Sequence, residues 1–288
     1  MSILYLDCIS GISGDMTISA LVDAGADASH LEEELKKLKI EDEYELKWSK
    51  VVKNGITSTK FDVILQEAET NHAHQEVGHD HHHQEHSHAH EKGNHHHHHE
   101  HSHSHEGEHI HHHHQHHGHD HRTYKDIVKM IGDSDLDEQV KDTAVKIFTK
   151  IGEAEGKIHG QPLDKVHFHE VGAVDSIIDI VGTAILIHQL GTDTIKCSPV
   201  PVGGGKIHID HGIYPVPAPA TLEILRGVPI ASSNIKGELT TPTGAAIAAV
   251  LADEYGPMPS MKIIDIGYGA GTKTFKDHPN VLRAVLGE

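Results

Sequence analysis

The chain has 288 residues, 36% of them hydrophobic and 23% charged, with a formal net charge of −19 at pH 7. That length suits one large domain or two smaller ones. A body this acidic argues against nucleic acid or an anionic membrane as partner, because both need basic patches. The two cysteines, Cys8 and Cys197, show no CxxC spacing; they exclude a disulfide framework and suit a reducing cytosol.

The first residues, MSILYLDCISG, carry no basic flank, and their apolar run is too short for a secretory signal. Ile3 to Cys8 reads as a short buried strand entering the small-residue turn Ser10-Gly11-Ile12-Ser13-Gly14-Asp15. Apolar spacing predicts a helix from Met16 to about Ala24, with Ile18, Leu21 and Val22 inward, and a second helix over 29–39. Strands around 44–52 and 58–66 flank Asn54-Gly55, a hairpin signal because both residues tolerate positive φ.

From His72 to His121 the chain holds 26 of its 34 histidines and almost no apolar residues. Such a composition builds no packed core, so a disordered insertion at 71–122 is expected between domain parts 1–70 and 123–288. Imidazole is the commonest protein ligand for nickel, zinc and copper, so the tract reads as a metal collector. Flexible imidazoles follow the general affinity order of divalent metals and do not select nickel by geometry.

After the tract, Thr123 to Asp126 has the form of a capping box. Helical spacing recurs over 136–155, and a long helix is predicted from about Ala173 to Leu190. Polar interruptions make its apolar stretch, Ile177 to Leu190, a buried helix and not a membrane span. Strands follow at 195–202 and 207–209. Pro217 and Pro219 open a helix through Leu225, and another runs from Thr241 to about Glu254. Strands at 261–267 and 281–286 close the chain. The expected fold is α/β or α+β, a mixed sheet with helices packed on it, in a soluble cytoplasmic protein.

Four clusters carry possible chemistry. In Val166-His167-Phe168-His169-Glu170, the two histidines leave the same face of an extended segment, with Asp175 close behind. They form a compact N/O donor set for a divalent metal; hydrogen-bonded histidines with capping acids explain the pattern equally well. Asp7 and Asp15 bracket the Gly11–Gly14 turn, which offers N–H groups to an anion or carboxylates to a cation; a plain tight turn is the alternative. Thr241, Thr243 and Gly244 open a helix and suit a phosphate or ordinary capping. His208 and His211 have HxDH spacing but read more simply as surface histidines. Gly267-Tyr-Gly-Ala-Gly precedes no helix and is no dinucleotide fingerprint; Gly203-Gly204-Gly205-Lys206 lacks the P-loop frame.

Taken together, DCISGISGDM, HFHEVGAVDSIIDIVG, HGIYPVPAPAT, GELTTPTGAAI and GYGAGTKTFKDHPNVLR resemble the LarC family over essentially the whole chain outside the tract. The resemblance implies insertion of nickel into pyridinium-3,5-bisthiocarboxylic acid mononucleotide, giving the nickel-pincer cofactor of lactate racemase. It implies dependence on CTP with Mg²⁺ or Mn²⁺, bound by a C-terminal domain that this chain lacks. Expected partners are therefore the mononucleotide, a C-terminal LarC piece, the lactate racemase apoprotein and further copies of the chain. The resemblance implies nickel ligation by His167, His169 and Glu170 with Asp175, a cation-holding or substrate-orienting role for Asp7 and Asp15, and a weaker metal role for His208 and His211. His169, Glu170 and Asp175 are the acid–base candidates. Gly11, Gly14, Thr241, Thr243 and Gly244 are assigned to the mononucleotide. A nickel storage or delivery protein without catalytic activity is the competing reading.

Overall fold

The structure is a computed structural model that describes residues 1–66, 122–168, 171–209 and 212–288. The chain begins with strand β1 (Ile3–Asp7), helix α1 (Gly14–Asp23) and helix α2 (Ala28–Leu35). The predicted helix over 29–39 does not continue to its end. It tightens into a 3₁₀ turn at Lys36–Leu38 and stops where Lys39 turns left-handed. The hairpin β2 (Tyr44–Lys53) and β3 (Ile56–Leu65) turns on Asn54 and Gly55, both at positive φ as the dipeptide predicts.

Helix α3 (Tyr124–Asp133) opens on the predicted box: Thr123 Oγ1 accepts from Asp126 N, and the Asp126 carboxylate accepts from Thr123 N. Helices α4 (Glu138–His159) and α5 (Val174–Leu190) follow, each ended by a left-handed glycine, Gly160 and Gly191. Strand β4 (Thr194–Cys197) then stops, because Ser198-Pro199 breaks the predicted 195–202 strand before the two-residue β5 (Val200–Pro201). The excursion that follows holds β6 (Gly203–Gly204), the ribbon β7 (Lys206–Ile209) and β8 (Gly212–Pro215), helix α6 (Pro219–Ile224), β9 (Ile230–Ala231) and β10 (Gly237–Glu238).

Helix α7 (Pro242–Leu251) ends three residues before the predicted Glu254. Asp253 N donates to Ile195 O and its carboxylate accepts from Ile195 N, both at 2.8 Å, which draws the chain into β11 (Glu254–Tyr255) beside β4. The chain closes with β12 (Ile263–Ala270) and β13 (Val281–Gly287).

Seven strands form one mixed sheet in the order β11-β4-β1-β13-β12-β3-β2. β1 and β4 are parallel, while β13 runs antiparallel between β1 and β12. Helix α1 lies across β12 and β3 and packs on α5, and α4 in turn packs on α5, α6 and α7. Leu4, Leu6, Ile18, Leu21, Ile177 and Val181 meet in the layer between them, wholly buried. Each such side chain contributes about 1.5–3 kcal/mol.

The glycines of Gly267-Tyr-Gly-Ala-Gly, expected to follow a strand, lie mostly within β12. A Cβ at Gly267 or Gly269 would collide with the backbone of α1, at Ala20 and Met16 respectively. They are therefore packing glycines, which agrees with the absence of a following helix. Among the described residues no helix is long and apolar enough to cross a membrane.

Candidate functional site

The carboxyl ends of β1, β4 and β12 lie on one edge of the sheet, beside the start of β13. In open α/β sheets the crevice outside the carboxyl ends of parallel strands is where ligands bind. Two of the sequence clusters meet at this edge. Thr241 N donates to Ile12 O at 3.2 Å, and a Cβ at Gly244 would collide with that carbonyl. Gly11, at φ +90°, lies under the Leu239 carbonyl with no space for a Cβ. Thr241 Oγ1 accepts from Gly244 N at 3.1 Å and caps α7, and Thr243 is buried. Gly11, Gly244 and Thr241 thus lock the 8–13 loop to the start of α7.

The loop 271–280 closes on the same place. Lys53 donates to the carbonyls of Thr272 at 3.2 Å and Lys273 at 3.1 Å, and Asn54 Nδ2 to that of Lys276 at 3.0 Å. Asn280 Nδ2 donates to Lys273 O at 2.9 Å. At its far end His278 Nδ1 lies 2.7 Å from Ser10 Oγ.

Beneath the loops lies an acidic cluster. Asp7 forms an ion pair with Arg283, whose Nε donates at 3.0 Å. Asp15, in the first turn of α1, accepts from Lys60 at 3.0 Å and from Ser13 Oγ. Lys60 also donates to Asp62 at 2.7 Å and to Phe61 O at 2.9 Å, and its side chain is only 10% exposed. Burial opposes the Lys60 charge, but Asp15 and Asp62 outweigh it and raise its pKa. Asp175 is exposed; its Oδ1 accepts from Ser176 N at 2.8 Å.

Asp179, one turn along α5, sits against Gly14, where any Cβ would strike its carboxyl. Its Oδ1 is buried with no hydrogen-bond partner among the described residues. Burial drives its carboxyl well above the ordinary carboxylate range, and the neighbouring Asp15 and Asp175 charges add to this. A raised carboxyl pKa means the folded state binds the proton more tightly. Stability from this group is greatest below the ordinary value of 3.8 and falls as pH rises toward the raised one. Asp179→Asn is therefore expected to stabilise the fold by about 1–3 kcal/mol at pH 7, the usual cost of an unsatisfied buried group. Urea melts at pH 5 and pH 8 check this; a variant less stable than wild type at pH 8 contradicts it.

The histidine cluster is only partly described. His167 is exposed and bridges to Thr123, while Val166 and Phe168 on either side are buried. The Phe168 ring centroid lies 6.2 Å from Phe148 and 6.4 Å from Tyr124. His169, Glu170 and His211 lie outside the described residues, as does the whole His-rich tract. His208 is exposed on β7, paired with Ile213. Among the described residues no three His, Cys, Asp or Glu side chains are placed to hold a metal ion.

Sequence reasoning did not single out Lys60, Ser10 or His278; Asp179, four residues after Asp175, is placed by spacing on the same helix face and no more. His278 stands in the Asp-His-Pro-Asn run just before the last strand, which was the available signal. The two cysteines, 189 residues apart, meet at the carboxyl ends of β1 and β4 as free buried thiols with Sγ atoms 3.6 Å apart.

A family model described as nickel insertion protein matches residues 4–288. Several relatives carry the name pyridinium-3,5-bisthiocarboxylic acid mononucleotide nickel insertion protein. That of Geobacillus kaustophilus is 52% identical over 100% of this chain and 60% of its own length. That of Staphylococcus epidermidis is 47% identical over 98% and 58%, and that of Clostridium kluyveri 46% over 100% and 62%. The chain thus spans about three fifths of the length of these curated relatives. No solved structure matches it.

Proposed function

The chain belongs to the nickel insertion protein family, and from that premise we propose that it inserts nickel into pyridinium-3,5-bisthiocarboxylic acid mononucleotide to make the nickel-pincer cofactor of lactate racemase. The observation that carries this reading is the identity of 46–52% over 98–100% of this chain to relatives named for that reaction. Nickel is here a substrate. His167, His169 and Glu170, with Asp175 beside them, receive it as borderline N/O donors. The two thiocarboxylate sulfurs of the acceptor are softer ligands and draw the ion across. A carbon–nickel bond then forms at the ring carbon between them, and that carbon gives up its proton.

Gly14 and the start of α1 lie at the carboxyl edge of the sheet and offer a place for the mononucleotide. Thr241, Thr243, Gly11 and Gly244 shape the wall behind it. Asp7 and Asp15 hold internal cations, Arg283 and Lys60, which fixes the loop between them. Mg²⁺ or Mn²⁺ with CTP does not fit the described residues. No three carboxylate or imidazole side chains among the described residues converge on an ion, and Lys206 stands in no phosphate-binding frame. In this reading the nucleotide step is assigned to a C-terminal LarC piece acting as a partner of this chain.

In this reading residues 1–70 and 123–288 form one cytoplasmic domain, and 71–122 gathers nickel for it. A storage protein remains the contrasting reading because of the 26 tract histidines. Deleting 72–121 separates the two when the chain is assayed with its C-terminal piece. Insertion predicts wild-type yield of nickel adduct, read by mass spectrometry, at ample nickel and a deficit only when nickel is scarce. Loss of the adduct at saturating nickel would sink the insertion reading.

A further inference from the structure

The nickel-insertion reading leaves one chemical role open. An imidazole nitrogen whose lone pair holds nickel cannot at the same moment accept the ring proton, so the histidine ligands leave the base to another group. We propose that His278 is this base, taking the proton from the ring carbon on Nε2.

The case begins with Ser10. Its hydroxyl is wholly buried and lies against two groups, the Pro279 carbonyl and His278 Nδ1. A hydroxyl has one proton, and a carbonyl can only accept. The arrangement that uses both contacts has Ser10 donating to Pro279 O and Nδ1 donating to Ser10 Oγ. Nδ1 also lies 3.1 Å from Pro279 O, a second acceptor that favours the same tautomer. With Nδ1 protonated, the neutral ring carries its lone pair on Nε2.

Nε2 is the outward end of this ring. His278 is partly exposed whereas Ser10 is not, and among the described residues Nε2 has no hydrogen-bond partner. The ring is also held in place. Its loop is braced from the β2–β3 turn by Lys53 and Asn54 and closed on itself by Gly271 N donating to Asn280 O at 3.0 Å. A base held this way loses little orientation entropy when substrate arrives. It stands on the 8–13 loop, at the carboxyl edge of β1 where a ligand of this sheet would lie.

The step balances without a redox partner. The C–H bond breaks, its electron pair goes to Ni²⁺ as the C–Ni bond forms, and the proton passes to Nε2. Ser10 acts through His278 and is a positioning residue.

The test uses the chain with its C-terminal piece, Ni²⁺ and the mononucleotide. His278→Gln is expected to slow single-turnover insertion by about 10²-fold or more, the usual contribution of a positioned base, with substrate affinity unchanged. Ser10→Ala is expected to lower kcat about tenfold through the lost hydrogen bond, with KM unchanged. Insertion at the wild-type rate in His278→Gln overturns the proposal, as does a rate loss matched by an equal loss of substrate affinity. Should His278→Gln fail to fold, Ser10→Ala decides: a raised KM with intact kcat rejects the base. Absence of insertion by the wild-type chain itself would instead reject the nickel-insertion reading on which this rests.

Discussion

Replacing Lys60 by methionine is expected to cost the fold about 3–5 kcal/mol, the range for breaking a buried ion pair from one side. The Lys60 side chain is 10% exposed and its ammonium joins Asp15, Asp62 and the Phe61 carbonyl. Methionine fills similar space but leaves two carboxylates facing each other, with Asp179 close behind Asp15. The solvent that reaches Asp62, 37% exposed, offsets part of the loss at that carboxylate, so the Asp15 side of the pair dominates. The sign of the pH dependence follows from the raised Lys60 pKa. Its contribution is fully present below the ordinary lysine value of 10.5 and is lost only as pH rises through the higher folded value. The deficit of the variant should thus be the same at pH 7 and pH 9. Denaturant melts at those two values test this; a loss below 1 kcal/mol would mean that the cluster is effectively solvated.

Such a network explains which parts of the molecule were legible in the sequence. The β2–β3 hairpin, the Thr123 box and the apolar α5 each rest on signals within a few residues, and each stands where expected. Features built from distant residues were not legible. Lys60 sits mid-strand, where a lysine ordinarily faces water; it turns inward only because α1 brings Asp15 over it from 45 residues away. The end of α7 was misjudged because pairing with Ile195, 58 residues earlier, outweighs helical continuation at Asp253. The glycines of β12 look like a loop until α1 is laid across them. The site followed the same rule. Residue types pointed to metal and anion chemistry, but which carboxylates already hold an internal cation was set by tertiary pairing alone. His278 acquires its meaning only from Ser10, 268 residues before it.

The double replacement His167→Ala/His169→Ala is expected to reduce nickel insertion at limiting nickel by at least about 100-fold, since loss of even an outer partner of a ligand costs 10–100-fold in metal affinity. The fold makes this a clean experiment on the His167 side. Val166 and Phe168 are buried and anchor the segment to α3 and α4, whereas the His167 ring is exposed. An exposed side chain away from any network changes stability by about 0.5 kcal/mol or less, so the alanine should leave folding untouched. For His169, which lies outside the described residues, the argument remains its spacing of two from His167, which suits one ligand face. The variant separates ligation from proton transfer. Raising nickel should restore insertion in His167→Ala/His169→Ala, because a weakened site refills by mass action, whereas no nickel concentration should restore His278→Gln. Full insertion by the double variant at limiting nickel, in the presence of the C-terminal piece, would remove these histidines from the nickel path. The tract or another donor set would then have to deliver the ion directly to the sulfurs.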